Sequence, residues 1–557
     1  MDYFMICVFA QLRKYANQIN KKMSDNQYSF IKNILLYFII FLIFIIFFIL
    51  RLVYLDADPS YISWSFGAFT DIGYYAANAR NSILFNNPII GDWDNRLLFP
   101  TYHYLMLIWF KLTSVSFASI NLFAVIISFG TMIILMLLKK NIYYRIFIAF
   151  LYSVNFLAIT TNRIAYLENF SVFFLAAALL FITRGGIMNT IFALFFAILA
   201  IFTKSTSAFF LGICVFYWLY LILKKQLPLK KFFSYLIFLL CAFIIIYYYY
   251  SFAIANYNNA ILNYTIFNKS ANNFSNFYLQ IFNGLNTNFF ARFPIISLTA
   301  FLYVIYLILK KKCGNTDFFA CLWILTIFLQ FIFFRYNPLR YYLYFLPPFI
   351  IFSAKFFANF NEISEYYSKS ISIINLILIA PFIFFSSYNI SWVYFRSFKN
   401  QHIHFSNLIN YTIIIFCIFT LLFTIYAKLL NNSVFKKFMF YTFIVLFVLE
   451  SAAQLYLYHY KNITFDLKNI STDIQTKLKS NHTLAGWFAP QIGLNTKIKT
   501  LPSYNMNTDY LKANNVTHLL LQSESIENTF NDFNLQYLEN YYIHKIKAKL
   551  FLYEIKW

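Results

Sequence analysis

The stretch "SFIKNILLYFIIFLIFIIFFILRLVY", residues 29–54, decides the fold. Between Lys32 and Arg51 it carries no charge, and its apolar length reaches the ~17–25 residues that a helix needs to cross hydrocarbon. The run is continuous and does not alternate apolar with polar, which excludes a barrel strand and leaves a helix. The whole chain has the same character: 61% of it is hydrophobic and 11% charged, where a soluble domain carries about 25% charged residues. With 74 Phe and 46 Tyr, a water-soluble core cannot hide this much apolar surface. The bilayer must be part of its solvent.

Working outward, further spans are expected at 119–138, 144–161, 168–183, 187–203, 206–223, 231–252, 293–309, 317–334, 341–357, 370–388, 407–427 and 438–458, about thirteen in all. The net charge of +24 invites a nucleic-acid partner, but the basic residues rule it out. They sit in short clusters between spans, at Lys139-Lys140, Lys224-Lys225, Lys230-Lys231, Lys310 to Lys312 and Lys436-Lys437. That is the positive-inside pattern of cytoplasmic loops, not one basic soluble face. Lys21 and Lys22 fall on the same side. The opposite side receives the long loop 55–100 and everything after about 459. The N-terminal apolar run is too short for a signal peptide. The six cysteines are scattered without a CxxC and read as small apolar residues. The expected class is therefore an all-α polytopic membrane protein (1–460) with amphipathic helices in its first periplasmic loop. A small α/β periplasmic domain follows (461–557), read from strand-like pieces such as "THLLLQ" and "KLFLYEIKW".

Ionisable residues at span ends are expensive unless they have a task. In "FTDIGYYAANARN" (69–81), Thr70 is placed to cap a helix starting at Asp71. Asp71, Tyr74 or Tyr75, and Asn78 then share a face, and the helix lies on the membrane with its acid at the positive end. "TNRIAYLENFS" puts Arg163 and Glu168 in a short turn, either as a pair that closes it or as an acid with a task at the top of a span. "IFTKSTSAF" sets Lys204 against the positive-inside bias, as an anion binder or a snorkelling lysine. "FRYNPLRYYLYFLPPF" supplies Arg335, Arg340, Tyr341 and Tyr342, suited to phosphate or to interfacial anchoring. "IIGDWDNRLLFPTYHYL" carries Asp92, Asp94, Arg96 and His103, with Asp94 read as a solvated loop residue, and "TYHYLMLIWFKL" reads as an interfacial or partly inserted helix. The pair His402 and His404 is weak evidence for a metal.

In order, these motifs resemble the polytopic glycosyltransferases of the GT-C fold, which include protein O-mannosyltransferases and the bacterial transferase that adds aminoarabinose to lipid A. Their "DEAYYALxAR" element corresponds to "TDIGYYAANAR", their "GDW" to "GDWDN", and their "PPLYYWLxxLxFKLFG" to "FPTYHYLMLIWFKLTS". Their arginine followed by an acid corresponds to Arg163 and Glu168, "LTKG" to "FTKS", and "RYLLPxxP" to "LRYYLYFLPP". The chain departs from the pattern at Ile72, where a second acid is usual, at Asn121, where an arginine is common, and at the serine of "TKS".

The resemblance implies an inverting glycosyltransferase of the inner membrane, working on its periplasmic face. The donor would be a polyprenyl-phosphate sugar held among membrane lipids, and the acceptor a hydroxyl of a lipid, glycan or protein. It implies Asp71 as general base and Glu168 as a second acid. Lys204 and Arg340 become candidates for the lipid phosphate, with Arg163 and Arg80 behind them. Tyr74, Tyr75, His103 and Tyr341 are candidates to line the substrate site. No cofactor is fixed; a divalent cation shared by the two acids is left open. Competing classes are a lipid-linked sugar flippase or transporter, an O-antigen ligase or polymerase, and a non-catalytic membrane scaffold.

Overall fold

The computed structural model describes residues 25–60, 67–257, 293–310, 313–333, 339–369, 433–461, 463–503, 507–522 and 534–557, with 413, 414 and 417. The chain is a multi-pass membrane protein. In order come α1 (Asp25–Leu52), α2 (Gly67–Phe85), the short α3 (Asn95–Leu98), α4 (Pro100–Leu112) and α5 (Phe117–Met136). Then follow α6 (Ile142–Val154), α7 (Phe156–Asn162), α8 (Leu167–Arg184), α9 (Ile187–Thr203), a 3-10 turn (Ser205–Ala208) that runs into α10 (Phe209–Leu223), and α11 (Leu229–Tyr257). The last helices of the membrane part are α12 (Pro294–Leu309), α13 (Asn315–Phe333), a 3-10 segment (Leu339–Phe345) continued by α14 (Leu346–Ala358), α15 (Phe360–Lys369) and α16 (Ser433–Leu455).

Among the described residues, seven helices are long and apolar enough to cross a membrane, or eight with the bent pair α6–α7 as one span. Three more, Ile187–Thr203, Ile295–Leu309 and Asn315–Gln330, are apolar over shorter lengths. The expected spans each fall on a helix, except 370–388 and 407–427, which lie outside the described residues or almost wholly so. Burial separates centre from periphery: 94% of Leu339–Ala358 and 78% of Leu167–Arg184 is buried, against 17% of Phe30–Leu52 and 17% of Leu229–Ala253. The two central spans carry Arg340 and Glu168.

The α6–α7 pair bends by 63°. Asn155 at the break is extended, and its side chain caps α7 by accepting from Ala158 N. The carbonyls freed by the bend do not face lipid unpaired. Arg51 of α1, wholly buried, donates to Tyr152 O and Ser153 O at 3.0 Å each. Irregular backbone at membrane depth is tolerated on this condition.

After a π-helical turn (Tyr456–Tyr460), the chain builds α17 (Asp466–Lys477) and a five-stranded sheet of order β2-β1-β3-β5-β4. Its strands are β1 (Thr483–Ala485), β2 (Lys499–Thr500), β3 (His518–Gln522), β4 (Leu535–Ile543) and β5 (Ala548–Ile555). The β1 strand runs parallel to β2 and β3; β5 is antiparallel to β3 and β4. Parallel neighbours need crossovers, and the helices α18 (Ala489–Gly493) and α19 (Thr508–Ala513) supply them.

This unit packs into the first loop. Phe69 of α2 is buried in the core that Ile474, Leu484, Leu520 and Leu552 form, while Leu494 is buried with Ile72, Tyr74 and Tyr102. Asp58 accepts from Leu467 N at 3.1 Å and Asp466 N at 2.8 Å, so a loop carboxylate caps α17. Burial pushes the Asp58 carboxyl up, against the hydrogen bonds that it accepts.

Two expectations about the loop change. The helix expected from Asp71 already includes Gly67, so Asp71 sits inside it rather than at its positive end. Nor does it lie open on the membrane: Tyr74 to Asn81 are all buried, and Gly73 N donates to Gln491 Oε1 of α18 at 2.8 Å. A Cβ on Gly73 would lie 2.2 Å from Gln491 N, so only glycine allows this approach. The helix expected over "TYHYLMLIWFKL" is α4. It is 13 residues long, too short to span, and it exposes Tyr104, Ile108 and Leu112 at four-residue spacing.

Candidate active site

Four of the charged residues singled out, Asp71, Glu168, Lys204 and Arg340, converge. Arg340 stands between two acids: its Nη2 is 2.6 Å from Asp71 Oδ2 and its Nε is 3.2 Å from Glu168 Oε1. Lys204 Nζ donates to the same Glu168 oxygen. Asp71 also accepts from Tyr75 OH at 3.3 Å, one helical turn along α2. The Tyr75 phenol is pushed well up, first by burial and then by the Asp71 charge, so it remains a donor. Lys204 Nζ lies 4.1 Å from the Tyr341 ring centre, and Arg340 lies 5.5 Å from that of Tyr166. Both are cation–π distances.

Exposure grades the cluster. The side chain of Asp71 is 18% exposed, Arg340 9%, Lys204 6% and Glu168 0%. Asp71 is thus the member open to an incoming molecule. Two groups keep capacity to spare. Glu168 Oε2 has no hydrogen-bond partner, and Arg340 Nε is near Glu168 Oε1 without a hydrogen-bonding angle. Gly67, four residues before Asp71, makes the room: a Cβ there would lie 2.7 Å from Asp71 Oδ2 and 2.9 Å from Arg340 Nη1.

The other candidates have different partners. Arg80, fully buried, donates to Gly493 O, Thr496 O and Ile498 O at 2.8, 2.9 and 2.6 Å, tying α2 to the C-terminal unit. Tyr74 OH donates to Ser503 O at 3.1 Å. Arg163 does not pair with Glu168; it donates to Val53 O at 2.8 Å and to Tyr54 O, and touches His459 Nε2. Asn121 bridges the same region, donating to Leu55 O and accepting from Ala165 N. Asp94 is not a solvated loop residue. It is 4% exposed and holds Arg96 Nη2 at 2.8 Å. His103 is buried with Nδ1 unpartnered, and burial pushes its imidazole down to about 4. Arg335, His402 and His404 lie outside the described residues.

The donor set does not suit the divalent cation left open above. The space between the two carboxylates is taken by a guanidinium, and among the described residues no group of three or more His, Cys, Asp or Glu could hold a metal. Sequence reading missed Gly67, Tyr166 and His459. For Gly67 the signal was there, a glycine one turn before the acid on the same helix.

The fold is the GT-C fold of polytopic membrane glycosyltransferases. Two solved structures carry the comparison, both of ArnT from Cupriavidus metallidurans. The apo state superposes with a TM-score of 0.53 at 11% identity, and the form bound to undecaprenyl phosphate with 0.50 at 12%. Each covers 93% of this chain and 97% of its own. A third, the archaeal oligosaccharyltransferase AglB from Archaeoglobus fulgidus in complex with an inhibitory peptide and a dolichol-phosphate, gives 0.45 at 11% identity, over 88% of this chain and 70% of its own. No family model and no curated protein matches the sequence.

Proposed function

We propose that this protein is a membrane glycosyltransferase that moves a sugar from a polyprenyl-phosphate donor to an acceptor hydroxyl. The reaction runs with inversion on the periplasmic face of the inner membrane. The observation that carries the reading is the Asp71–Arg340–Glu168–Lys204 cluster at the ends of the central spans. A fold shared with a protein caught holding undecaprenyl phosphate supports it.

The chemistry follows from the charges. Displacement at the anomeric carbon needs a base for the acceptor proton, on the face opposite the leaving group. Asp71, the less buried of the two acids, takes that proton. A phosphate leaves without being protonated, so fixed cations suffice to stabilise it, and Arg340 and Lys204 provide them. Arg340 is paired with Asp71 and occupies the oxygen that the acceptor proton needs. An arriving phosphate competes for Arg340, using the fork geometry that arginine offers to oxyanions. The Asp71 oxygen freed in this way is the one that receives the proton. Glu168, buried and anchored by Lys204, keeps Arg340 in place during the exchange.

The test is transfer in vitro with a panel of polyprenyl-phosphate sugars, with wild type beside Asp71→Asn and Arg340→Ala. Asp71→Asn is expected to lose at least ~10²-fold in kcat, as removal of a general base does, and still to bind undecaprenyl phosphate. Arg340→Ala is expected to bind that lipid more weakly. Near-normal turnover by Asp71→Asn, or unchanged lipid affinity in Arg340→Ala, would overturn the assignment.

A further inference from the structure

Each of the three deep charges has a hydroxyl residue one turn further into the membrane on its own element. Ser171 follows Glu168 by three positions, Ser207 follows Lys204 by three, and Tyr344 follows Arg340 by four. The three elements belong to separate spans and all enter the bundle from the same end. Their hydroxyls meet. Ser171 Oγ and Ser207 Oγ are hydrogen-bonded, and Ser207 Oγ is 3.3 Å from Tyr344 OH. Ser171 and Ser207 are wholly buried and Tyr344 is 3% exposed.

The donors can be assigned, because each hydroxyl has one proton. Ser171 donates to Ala200 O at 3.4 Å, so it accepts from Ser207. Ser207 then accepts from Tyr344, and Tyr344 accepts from Thr206 Oγ1 at 3.4 Å. The result is a directed chain, Thr206 to Tyr344 to Ser207 to Ser171 to a backbone carbonyl. Helix α13 braces two members of this chain through their carbonyls: Trp323 Nε1 donates to Tyr344 O at 2.9 Å and Gln330 Nε2 to Thr206 O at 3.2 Å.

We infer that Ser171, Ser207 and Tyr344 are positioning residues, a hydroxyl clasp that fixes the register of the three elements carrying Glu168, Lys204 and Arg340. The inference rests on the reading of that cluster as the transfer site. A set of charges at the ends of helices is only as well placed as the helices are, and a misplacement of ~1 Å can cost ~10²-fold in rate. An apolar layer would hold the three spans together without fixing their register. A directed hydrogen-bond chain fixes it, since sliding one span breaks two links at once.

The test is a double-mutant cycle on Ser207→Ala and Tyr344→Phe in the full-length protein. It is read as kcat and donor KM for transfer, together with labelling of Lys204 by an amine-reactive reagent. Each single variant is expected to lose about tenfold in kcat with donor KM within about twofold, and the double variant to lose little more than either single, because both break one chain. Labelling of Lys204, 5% exposed in the intact protein, is expected to rise severalfold in both. Full kcat in both singles, or losses that multiply to about a hundredfold in the double variant, would overturn the clasp. If wild type transfers sugar from no polyprenyl phosphate, the functional reading falls by itself. Lys204 labelling then still decides the clasp: a rise supports it, and an unchanged rate overturns it.

Discussion

A methyl group added at Gly67 would press on Asp71 Oδ2 and Arg340 Nη1 together, at 2.7 and 2.9 Å. Helix propensity favours alanine over glycine by up to about 1 kcal/mol, so stability and activity should part company here. Gly67→Ala is expected to keep or slightly raise the melting temperature in detergent while lowering kcat about tenfold through a displaced Asp71. Parallel melting and transfer measurements check this, and unchanged transfer would mean that the Asp71–Arg340 geometry is not the working one. The site's four charges were legible in the sequence because an ionisable group at the end of an apolar run stands out energetically. The hydroxyls of Ser171, Ser207 and Tyr344 were not, since small and weakly polar residues inside apolar runs carry no such contrast. Their meaning depends on which spans are neighbours, and hydropathy does not say.

At the scale of elements, one of the groups that hold the turn before Glu168 is an imidazole. His459, in the π-helical turn that follows α16, lies with Nδ1 2.9 Å from Ser60 Oγ and Nε2 against Arg163 Nη1. Arginine only donates, so Nε2 must accept and the proton sits on Nδ1, donating to Ser60. A second proton would face Arg163, with Lys545 also near. Burial first, then Arg163 and Lys545, push His459 down to about 3 from 6.5. The sign follows by linkage: the unfolded chain binds the proton more readily between these values, so stability rises with pH through that window and is level above it. Acidification from pH 7 to 4.5 should therefore loosen the contact between the first loop and the C-terminal unit. His103 and His518, each lowered to about 4 by burial, add to the same slope. His459→Gln should shallow the slope of melting temperature against pH without removing it. An identical slope would show that His459 stays neutral in neither state more than the other. The sequence placed Arg163 correctly at a turn. Its partner lies 296 positions away, beyond the reach of local pattern.

At the scale of the molecule, spans and their order were legible because each is decided by its own apolar length, whereas the relation of the C-terminal unit to the first loop was not. That relation explains why Arg80 and Tyr74, which looked like substrate residues, have other partners: their polar groups pair with backbone carbonyls of the C-terminal unit. Phe69 completes a core on one side of α2, and Leu494 completes one on the other. The helix that carries Asp71 thus has no finished surroundings without residues 461–557. A chain ended at residue 460 would expose both faces of α2 and leave the buried Arg80 guanidinium without the carbonyls it serves. Loss of one hydrogen-bonded partner of a buried charge already costs several kcal/mol. The shortened chain is therefore expected to insert into the membrane, since its spans are intact, yet to lose transfer entirely and to become protease-sensitive within residues 67–85. Adding the separate 461–557 segment should not restore it, because each part supplies core residues to the other. Measurable transfer by the shortened chain would show instead that the C-terminal unit is an appendage and that α2 holds Asp71 in place alone.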